Sequence, residues 1–247
     1  MLKKTAVILA GGKGTRLQSV LKNTPKALVK IGNKPIIEYQ IILLRKHGIE
    51  EIWILLGHLG DKIRNYLGDG EKWKMKINYC QEKELLGTAG ALKQLEGKIK
   101  TDFLVLSGDI MLDFDISRFI NFHKEKRGLA SLVVHPSDHP LDSDLVKADK
   151  NEKIITLLKR PHDQGVILGN LGIASVFAFS PKIIKYIPKD KKTDFERDIL
   201  SSILSSGEEI YAYNTSEYIK DIGTPERLEE ARSDYFSQKI SAKILTS

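Results

Sequence analysis

The sequence predicts an α/β protein with a predominantly parallel, mixed sheet flanked by helices. Three observations carry that expectation. Short apolar runs rich in Val, Ile and Leu, such as Ala6-Val7-Ile8-Leu9-Ala10 and Phe103-Leu104-Val105-Leu106, have the composition of strands buried on both faces. Amphipathic helical segments alternate with them, so the chain as far as Gln81 reads βαβαβ. A length of 247 residues with 41% hydrophobic content suffices for one substantial core, and we expect a single domain over residues 1–240 followed by a polar tail at 241–247.

The first strand runs directly into Gly11-Gly12-Lys13-Gly14-Thr15-Arg16-Leu17, with Thr24-Pro25-Lys26-Ala27-Leu28 close behind. Glycines at a strand end let backbone N–H groups approach an anion, and by themselves Gly11-Gly12 could equally be a plain strand-to-helix connection. Lys13, Arg16 and Lys26 add three cations to that turn, which suits a polyphosphate guest. A dinucleotide fingerprint would need a glycine where Leu17 stands, and the Gly-Lys-Ser/Thr of a P-loop is absent.

Pro35 stands where a helix begins, Ile37, Ile41 and Leu44 share one face of it, and Gly48 offers a stop. A buried strand is expected over 49–56, a second helix over 59–67, and a strand through Met75, Ile77 and Tyr79. Such an order gives a Rossmann-like sheet with its ligand crevice at the carboxyl ends of the strands. Gln81 to Leu92 reads as a polar loop entering a helix of small residues, either a place for a ligand against free N–H groups or a tightly packed helix start.

Phe103 to Ile110 is expected as one strand ending in Asp109, which alone would read as a turn former or cap. Ser180-Pro181 and Asp194-Phe195-Glu196 open helices, the latter running to Gly207, with Asp194 and Glu196 favoured as helix-start acids over substrate contacts. A strand follows over 208–213. Asp221 precedes a last helix opened by Thr224 and Pro225 and running toward Ile240.

The formal charge is +7, but 39 basic residues are interleaved with 32 acidic ones, with no basic block or aromatic platform, which argues against nucleic acid as a partner. A lone Cys80 excludes an intramolecular disulfide framework and a cysteine zinc site and favours a reducing compartment. There is no signal-peptide core and no apolar run of membrane-spanning length, so a cytoplasmic protein without a membrane partner is expected.

Leu9-Ala10-Gly11-Gly12-x-Gly14-Thr15-Arg16-Leu17 followed by Pro25-Lys26 resembles the signature of the sugar-1-phosphate nucleotidyltransferases, and further matches extend over nearly the whole chain. The resemblance implies the nucleotidyltransferase fold and the joining of an NTP to a sugar 1-phosphate with release of pyrophosphate. It implies that the loop from Leu9 to Thr15 wraps the triphosphate, that Arg16 binds its phosphates, and that Lys26 bridges the reacting ones. Leu86-Gly87-Thr88-Ala89-Gly90 is similar to the family's base-and-sugar element, which gives Gln81, Gly87 and Thr88 nucleotide contacts. Gly-Asp at Asp109 and Asp-Ile-Gly-Thr-Pro at Asp221 resemble the motifs whose aspartates hold Mg²⁺, with Asp109 counted among the catalytic residues beside Arg16 and Lys26.

Two anions must meet in that reaction, and unit charges about 4 Å apart repel by roughly 1 kcal/mol in water and several-fold more in a drier site. Mg²⁺ takes oxygen ligands, one or two carboxylates plus phosphates, so two aspartates suffice without His or Cys. A phosphate monoester is already largely deprotonated, which leaves positioning and electrostatics as the main work.

The stretch from Leu129 to Phe179 corresponds to the sugar side. Asn170-Leu171-Gly172 is similar to the family's Asn-x-Gly turn, which gives Asn170 a sugar contact, and Arg160 stands for the usual phosphate-binding lysine. Lys159 occupies the place of a glutamate that holds sugar hydroxyls in many relatives, and an ammonium has only donors. The polar stretch 138–146 reads equally as a surface loop or a ligand segment, and His135 and His139 lack a metal partner. Together with the Leu-Gly-Thr-Ala-Gly element these features look closest to guanylyltransferases acting on D-glycero-D-manno-heptose 1-phosphate, with mannose-1-phosphate enzymes as neighbours. Gln81 presents donors and an acceptor, so guanine, uracil, thymine and cytosine all stay open. Some relatives with a similar middle segment are joined to a phosphatase domain, which makes a phosphatase partner in the same pathway compatible with the resemblance, as is a homo-oligomer. A non-catalytic sensor on the same fold is the competing class.

Overall fold

The computed structural model describes residues 4–21, 23–82, 84, 86–137, 140–162 and 169–240. The tail expected at 241–247 lies outside the described residues, as do His139 and its neighbour at 138.

In chain order the elements are β1 (Thr5–Ala10), α1 (Gln18–Leu21), β2 (Lys30–Ile31), β3 (Lys34–Pro35), α2 (Ile36–Lys46), β4 (Glu51–Leu56), α3 (Gly60–Leu67) and β5 (Lys76–Gln81). They continue with α4 (Gly87–Lys93), β6 (Phe103–Ser107), β7 (Ile110–Asp113), α5 (Ile116–Lys126), β8 (Ala130–Pro136), β9 (Leu145–Ala148) and β10 (Ile154–Leu158). The rest comprises β11 (Leu171–Phe179), α6 (Leu200–Ser205), β12 (Ile210–Asn214), β13 (Tyr218–Asp221) and α7 (Pro225–Phe236). The architecture is the expected α/β one, a mixed and mostly parallel central sheet flanked by helices. The chain divides into two compact units, one of Met1–Leu85, Val105–Ile116 and Glu217–Ser247, the other of Leu86–Leu104 and Ser117–Ser216.

In the first unit β4 pairs in parallel with β1 and with β5, so that Ala10, Leu56 and Gln81 come into register at one edge. The apolar runs are strands because both faces are covered, and Ala6, Val7, Ile8, Ile52 and Ile54 are fully buried. Helix α2 starts after Pro35, buries Ile37, Ile41 and Leu44, and stops before Gly48 at φ 76°, a left-handed conformation that favours glycine. Strand β13 pairs antiparallel with β7, matching Asp221 to Ile110.

In the second unit β8 pairs antiparallel with β11 and parallel with β12, while β9 pairs antiparallel with β10 and β11. Its core is aromatic: Phe179 lies 5.8 Å from Phe103, 5.4 Å from Phe177 and 4.5 Å from Phe195, centroid to centroid. Strand β11 is interrupted by a register shift between Ile173 and Phe177, with Ser175 at φ 52°.

Three elements differ from expectation. The run from Phe103 to Ile110 is two strands rather than one, because the chain turns at Gly108 and Asp109, where the Gly108 N–H donates to the Leu9 carbonyl at 2.9 Å. A Cβ at position 108 would stand 2.9 Å from that oxygen, so glycine permits the closure. The helix opened by Pro181 is a run of 3₁₀ turns to Tyr186, and the one opened by Asp194 begins as a π-helical turn over Phe195–Ile199 before α6. No helix among the described residues is long and apolar enough to cross a membrane.

In the second unit His123 is buried and its Nδ1 lies 2.8 Å from the Ser131 hydroxyl. Burial holds its pKa below the usual histidine value, against the pull of Asp102. The unfolded chain therefore binds the extra proton first, and stability rises with pH up to about 6.5, the ordinary histidine value, and falls as pH drops below it. Urea titrations between pH 5 and 8 should show this slope in the wild type and a shallower one in His123→Gln; equal slopes would remove His123 as its source.

Candidate active site

In the first unit the carboxyl ends of β1, β4 and β5 carry three loops that bond to each other. The His58 N–H donates to the Gly11 carbonyl at 3.2 Å, and the Gln81 side-chain amide donates to the Gly57 carbonyl at 3.0 Å. A Cβ on Gly11 would lie 3.3 Å from the Gly57 nitrogen, and one on Gly60 would lie 2.7 Å from the Gln81 amide oxygen, so both glycines are close-approach positions. Nothing lies within 4 Å of where a Cβ of Gly12 would stand, and Gly12, Lys13, Thr15 and Arg16 are exposed. Of the two residues that end β1, Leu9 is half-buried and Ala10 is buried.

Asp109 sits in the turn between β6 and β7. Its carboxylate accepts from the Lys26 ammonium at 2.9 Å and from the Ser107 hydroxyl at 2.7 Å, and its side chain is 22% exposed. Burial pushes this carboxyl up, but Lys26 and Ser107 outweigh it and hold it below the usual carboxylate range. The turn itself is fastened by Gln40 of α2, whose buried amide donates to the Ser107 carbonyl at 2.9 Å and to the Ile110 carbonyl at 2.7 Å.

The β7–β13 pairing delivers the second carboxylate. Asp221 is opposite Ile110, and the Ile222 N–H donates to the Asp109 carbonyl at 2.9 Å, so two aspartates more than a hundred positions apart in sequence flank one short ladder. Arg227 grips Asp221 with Nη1 at 3.1 Å and 2.9 Å from the two oxygens, and the Gly223 N–H donates to Oδ1 at 2.8 Å. The Arg16 guanidinium lies close to this turn, with Nη2 3.2 Å from where a Gly223 Cβ would be. Among the described residues no group of three or more His, Cys, Asp or Glu could hold a metal ion by itself. An oxygen-only pair of aspartates suits a hard cation that takes its remaining ligands from phosphate and water.

In the second unit Gly87, at φ 79°, and Thr88 are docked on the segment from Thr193. A Cβ on Gly87 would stand 2.5 Å from the Thr193 carbonyl oxygen, the Ala89 N–H donates to that carbonyl at 3.1 Å, and the Thr88 hydroxyl accepts from the Phe195 N–H at 2.8 Å. Of the two readings of this helix start, tight packing is visible directly. The Thr88 hydroxyl also donates to Asp194 at 3.1 Å, and Asp194 caps the following turn by accepting from the Arg197 N–H at 3.1 Å, as a helix-start acid should.

Glu196 is different. Its carboxylate accepts from the Ser175 hydroxyl at 2.9 Å rather than capping a helix. Burial pushes its pKa up to about 7; the Ser175 bond opposes, Asp194 and Asp144 add to the rise, and Arg160 opposes. Arg160 is fastened through Asp144, which accepts from its backbone N–H at 2.8 Å and from Nε at 3.4 Å. Nε2 of His162 lies 3.1 Å and 2.9 Å from the carbonyls of Pro140 and Ser143, and the Ser137 N–H donates to the Asn170 carbonyl at 2.6 Å. The described part of the polar stretch 138–146 is therefore bound to Arg160 and His162, with Asn170 tied to its flank at Ser137.

A family model described as nucleotidyl transferase matches residues 5–238. The chain belongs to the nucleotidyl transferase family. It is 31% identical over 232 residues to the UTP–glucose-1-phosphate uridylyltransferase of Synechocystis sp., covering 88% of this chain and 60% of that protein. It is 27% identical over 231 residues to the mannose-1-phosphate guanylyltransferase of Mycobacterium tuberculosis, covering 93% and 64%. The chain thus spans about three fifths of the length of these curated relatives. Among solved structures, HddC from Yersinia pseudotuberculosis superposes with a TM-score of 0.79 at 28% identity, covering 94% of this chain and 99% of that one. A putative glucose-1-phosphate thymidylyltransferase from Bacillus anthracis shares the fold with a TM-score of 0.85 at 22% identity, covering 98% of each.

Four residues that fasten these groups, three in the first unit and one in the second, escape a motif reading. Gln40 left a signal, a polar side chain inside the apolar run Ile36-Ile37-Glu38-Tyr39-Gln40-Ile41-Ile42. Ser107, Arg227 and Asp144 left none, since nothing in their spacing shows which carboxylate or cation they meet.

Gly87→Ala and Gly97→Ala together test the docking of α4. Both glycines have positive φ, but only at Gly87 would the new Cβ meet backbone. Gly97→Ala should cost about 1 kcal/mol from its backbone conformation, and Gly87→Ala clearly more, in chemical denaturation. Equal costs would contradict the docking.

Proposed function

We propose that the protein is a sugar-1-phosphate nucleotidyltransferase that joins an NTP, with GTP favoured, to a sugar 1-phosphate, with D-glycero-D-manno-heptose 1-phosphate favoured. The observation that carries this reading is the ladder that sets Asp221 beside the Asp109 turn in the unit that bears the glycine loop. A phosphate oxygen of the sugar 1-phosphate attacks the α-phosphorus, the bond to the β-phosphate oxygen breaks, and pyrophosphate leaves. Because both reactants are anionic, the work falls on charge and position.

In this reading the loop from Leu9 to Thr15 offers backbone N–H groups to the triphosphate, and Arg16 forks its oxygens. Lys26 holds the reacting phosphates as a compact point charge while still bonded to Asp109. Mg²⁺ held by Asp109 and Asp221 would supply Lewis-acid neutralisation of phosphate charge. Gln40 and Ser107 fix where Asp109 points, and Arg227 fixes Asp221. Gln81, Gly87 and Thr88 are assigned to the nucleotide, with Gln81 meeting the edge of the base; Arg160 and Asn170 are assigned to the sugar phosphate.

Guanine is favoured by the likeness to HddC, whose structure is also known complexed with GMP-PN, and by relatives named mannose-1-phosphate guanylyltransferase. Heptose is favoured by the combination of Leu-Gly-Thr-Ala-Gly, His-Pro-Leu-Asp-Ser-Asp and Lys-Arg-Pro. The uridylyltransferase relative supports UTP with glucose 1-phosphate as the second reading. The proposed setting is the cytoplasm, where such substrates and reducing conditions coexist.

Pyrophosphate release with Mg²⁺, offering heptose, mannose and glucose 1-phosphates against the four common NTPs, decides the substrates. Turnover confined to GTP with the heptose would bear out base and sugar together, and turnover with another pair would replace them. Asp109→Asn should lower kcat by about 10²-fold or more while NTP binding, measured by calorimetry, persists. Unchanged turnover would remove the metal role of Asp109, and NTP binding without turnover by the wild type would favour a sensor.

A further inference from the structure

Glu196 stands apart in the second unit. A recessed carboxylate is costly unless something repays it, and here two further acids, Asp144 and Asp194, raise that cost while Arg160 alone offsets it among the charged groups that act on it. The Ser175 hydroxyl uses one of about four acceptor positions of an ionised carboxylate. That hydroxyl is presented by the bulge in β11, where Ser175 adopts φ 52°, a conformation that costs a non-glycine residue of order 1 kcal/mol. Backbone strain at Ser175 and burial and like charge at Glu196 meet in one hydrogen-bonded pair, whose carboxylate also feels the charge of the arginine assigned to the sugar phosphate. Strain and perturbed acids of this kind cluster at binding sites.

A sugar 1-phosphate brings both missing complements. Its phosphate suits the Arg160 guanidinium, and its hydroxyls are donors for a carboxylate that has acceptor capacity in hand. Asp144 is committed to Arg160 and Asp194 to its cap, which leaves Glu196 as the acid oriented by a hydroxyl alone. We propose that Glu196, held by Ser175 on the β11 bulge, accepts a hydrogen bond from a sugar hydroxyl and determines which sugar 1-phosphate the enzyme takes. The inference rests on the nucleotidyltransferase reading given above.

Only the ionised carboxylate is a pure acceptor, and this carboxyl sits at about 7, so kcat/KM for the sugar 1-phosphate should climb through neutral pH. Using the best sugar–NTP pair of the wild type, Glu196→Gln should raise KM for the sugar 1-phosphate tenfold or more. KM for the NTP should stay within twofold, and the climb should flatten. Ser175→Ala, a milder change that removes the donor stabilising the ionised form, should move the inflection to higher pH. In parallel, the ¹³Cδ resonance of Glu196, assigned by its loss in Glu196→Gln, should titrate near 7 and shift when mannose 1-phosphate or the heptose 1-phosphate is added. An unchanged sugar KM in Glu196→Gln overturns the proposal, as does a resonance that ignores both sugar phosphates. If the wild type turns over no pair, nucleotidyl transfer fails as the function, and the response of that resonance decides the Glu196 proposal on its own.

Discussion

A carboxylate recessed at the end of a parallel sheet needs a cation within reach, and in the first unit that need shapes the loop sequence. Lys26 meets Asp109 at 2.9 Å by running past Gly14, where a Cβ would lie 3.1 Å from its Cγ and 3.2 Å from its Cε. The glycine loop is therefore more than a surface for phosphate: Gly14 opens the path by which the lysine reaches its acid. The second acid repeats the arrangement, since Gly223 leaves room for the Arg16 guanidinium next to Asp221. In both places a missing side chain lets a cation lie beside a carboxylate, although Asp221 is also paired with Arg227.

These ion pairs have a consequence for binding. Ions taken partly out of water attract strongly, but their net worth is small because desolvation opposes the attraction. In the proposed reaction Lys26 meets phosphate while keeping its bond to Asp109, so the pair supplies position more than net stability. The Gln40 amide, bonded to carbonyls on both sides of Asp109, keeps the turn in place. This is consistent with a site that works by preorganised electrostatics.

What could be read from the sequence followed physical range. Strands β1, β4 and β5 and helices α2 and α3 were visible because local periodicity and glycine punctuation agree with the tertiary environment there. The glycine loop was visible because its chemistry is written contiguously. The break at Gly108 was not, since the acceptor that turns the chain is a carbonyl of β1, nearly a hundred residues away. Glu196 does lie in the first turn of the helix that Asp194 caps, but only the bulge at Ser175 reveals that the two acids face different partners. Interactions between side chains of distant segments leave no period to read.

The two units also differ in how their sites are held, each within itself. In the first, the groups assigned to nucleotide and metal hang on parallel-strand ends and a two-strand ladder, where backbone bonds set position and glycines set clearance. In the second, side chains do much of the fastening among the described residues, with Asp144 on Arg160 and His162 on the carbonyls of Pro140 and Ser143. Lys159 can then be accommodated next to Arg160 with the acceptor role supplied from another element. The groups proposed for phosphoryl transfer thus have their positions set by backbone bonds, and those proposed for the sugar by side-chain bonds, which one substitution can change.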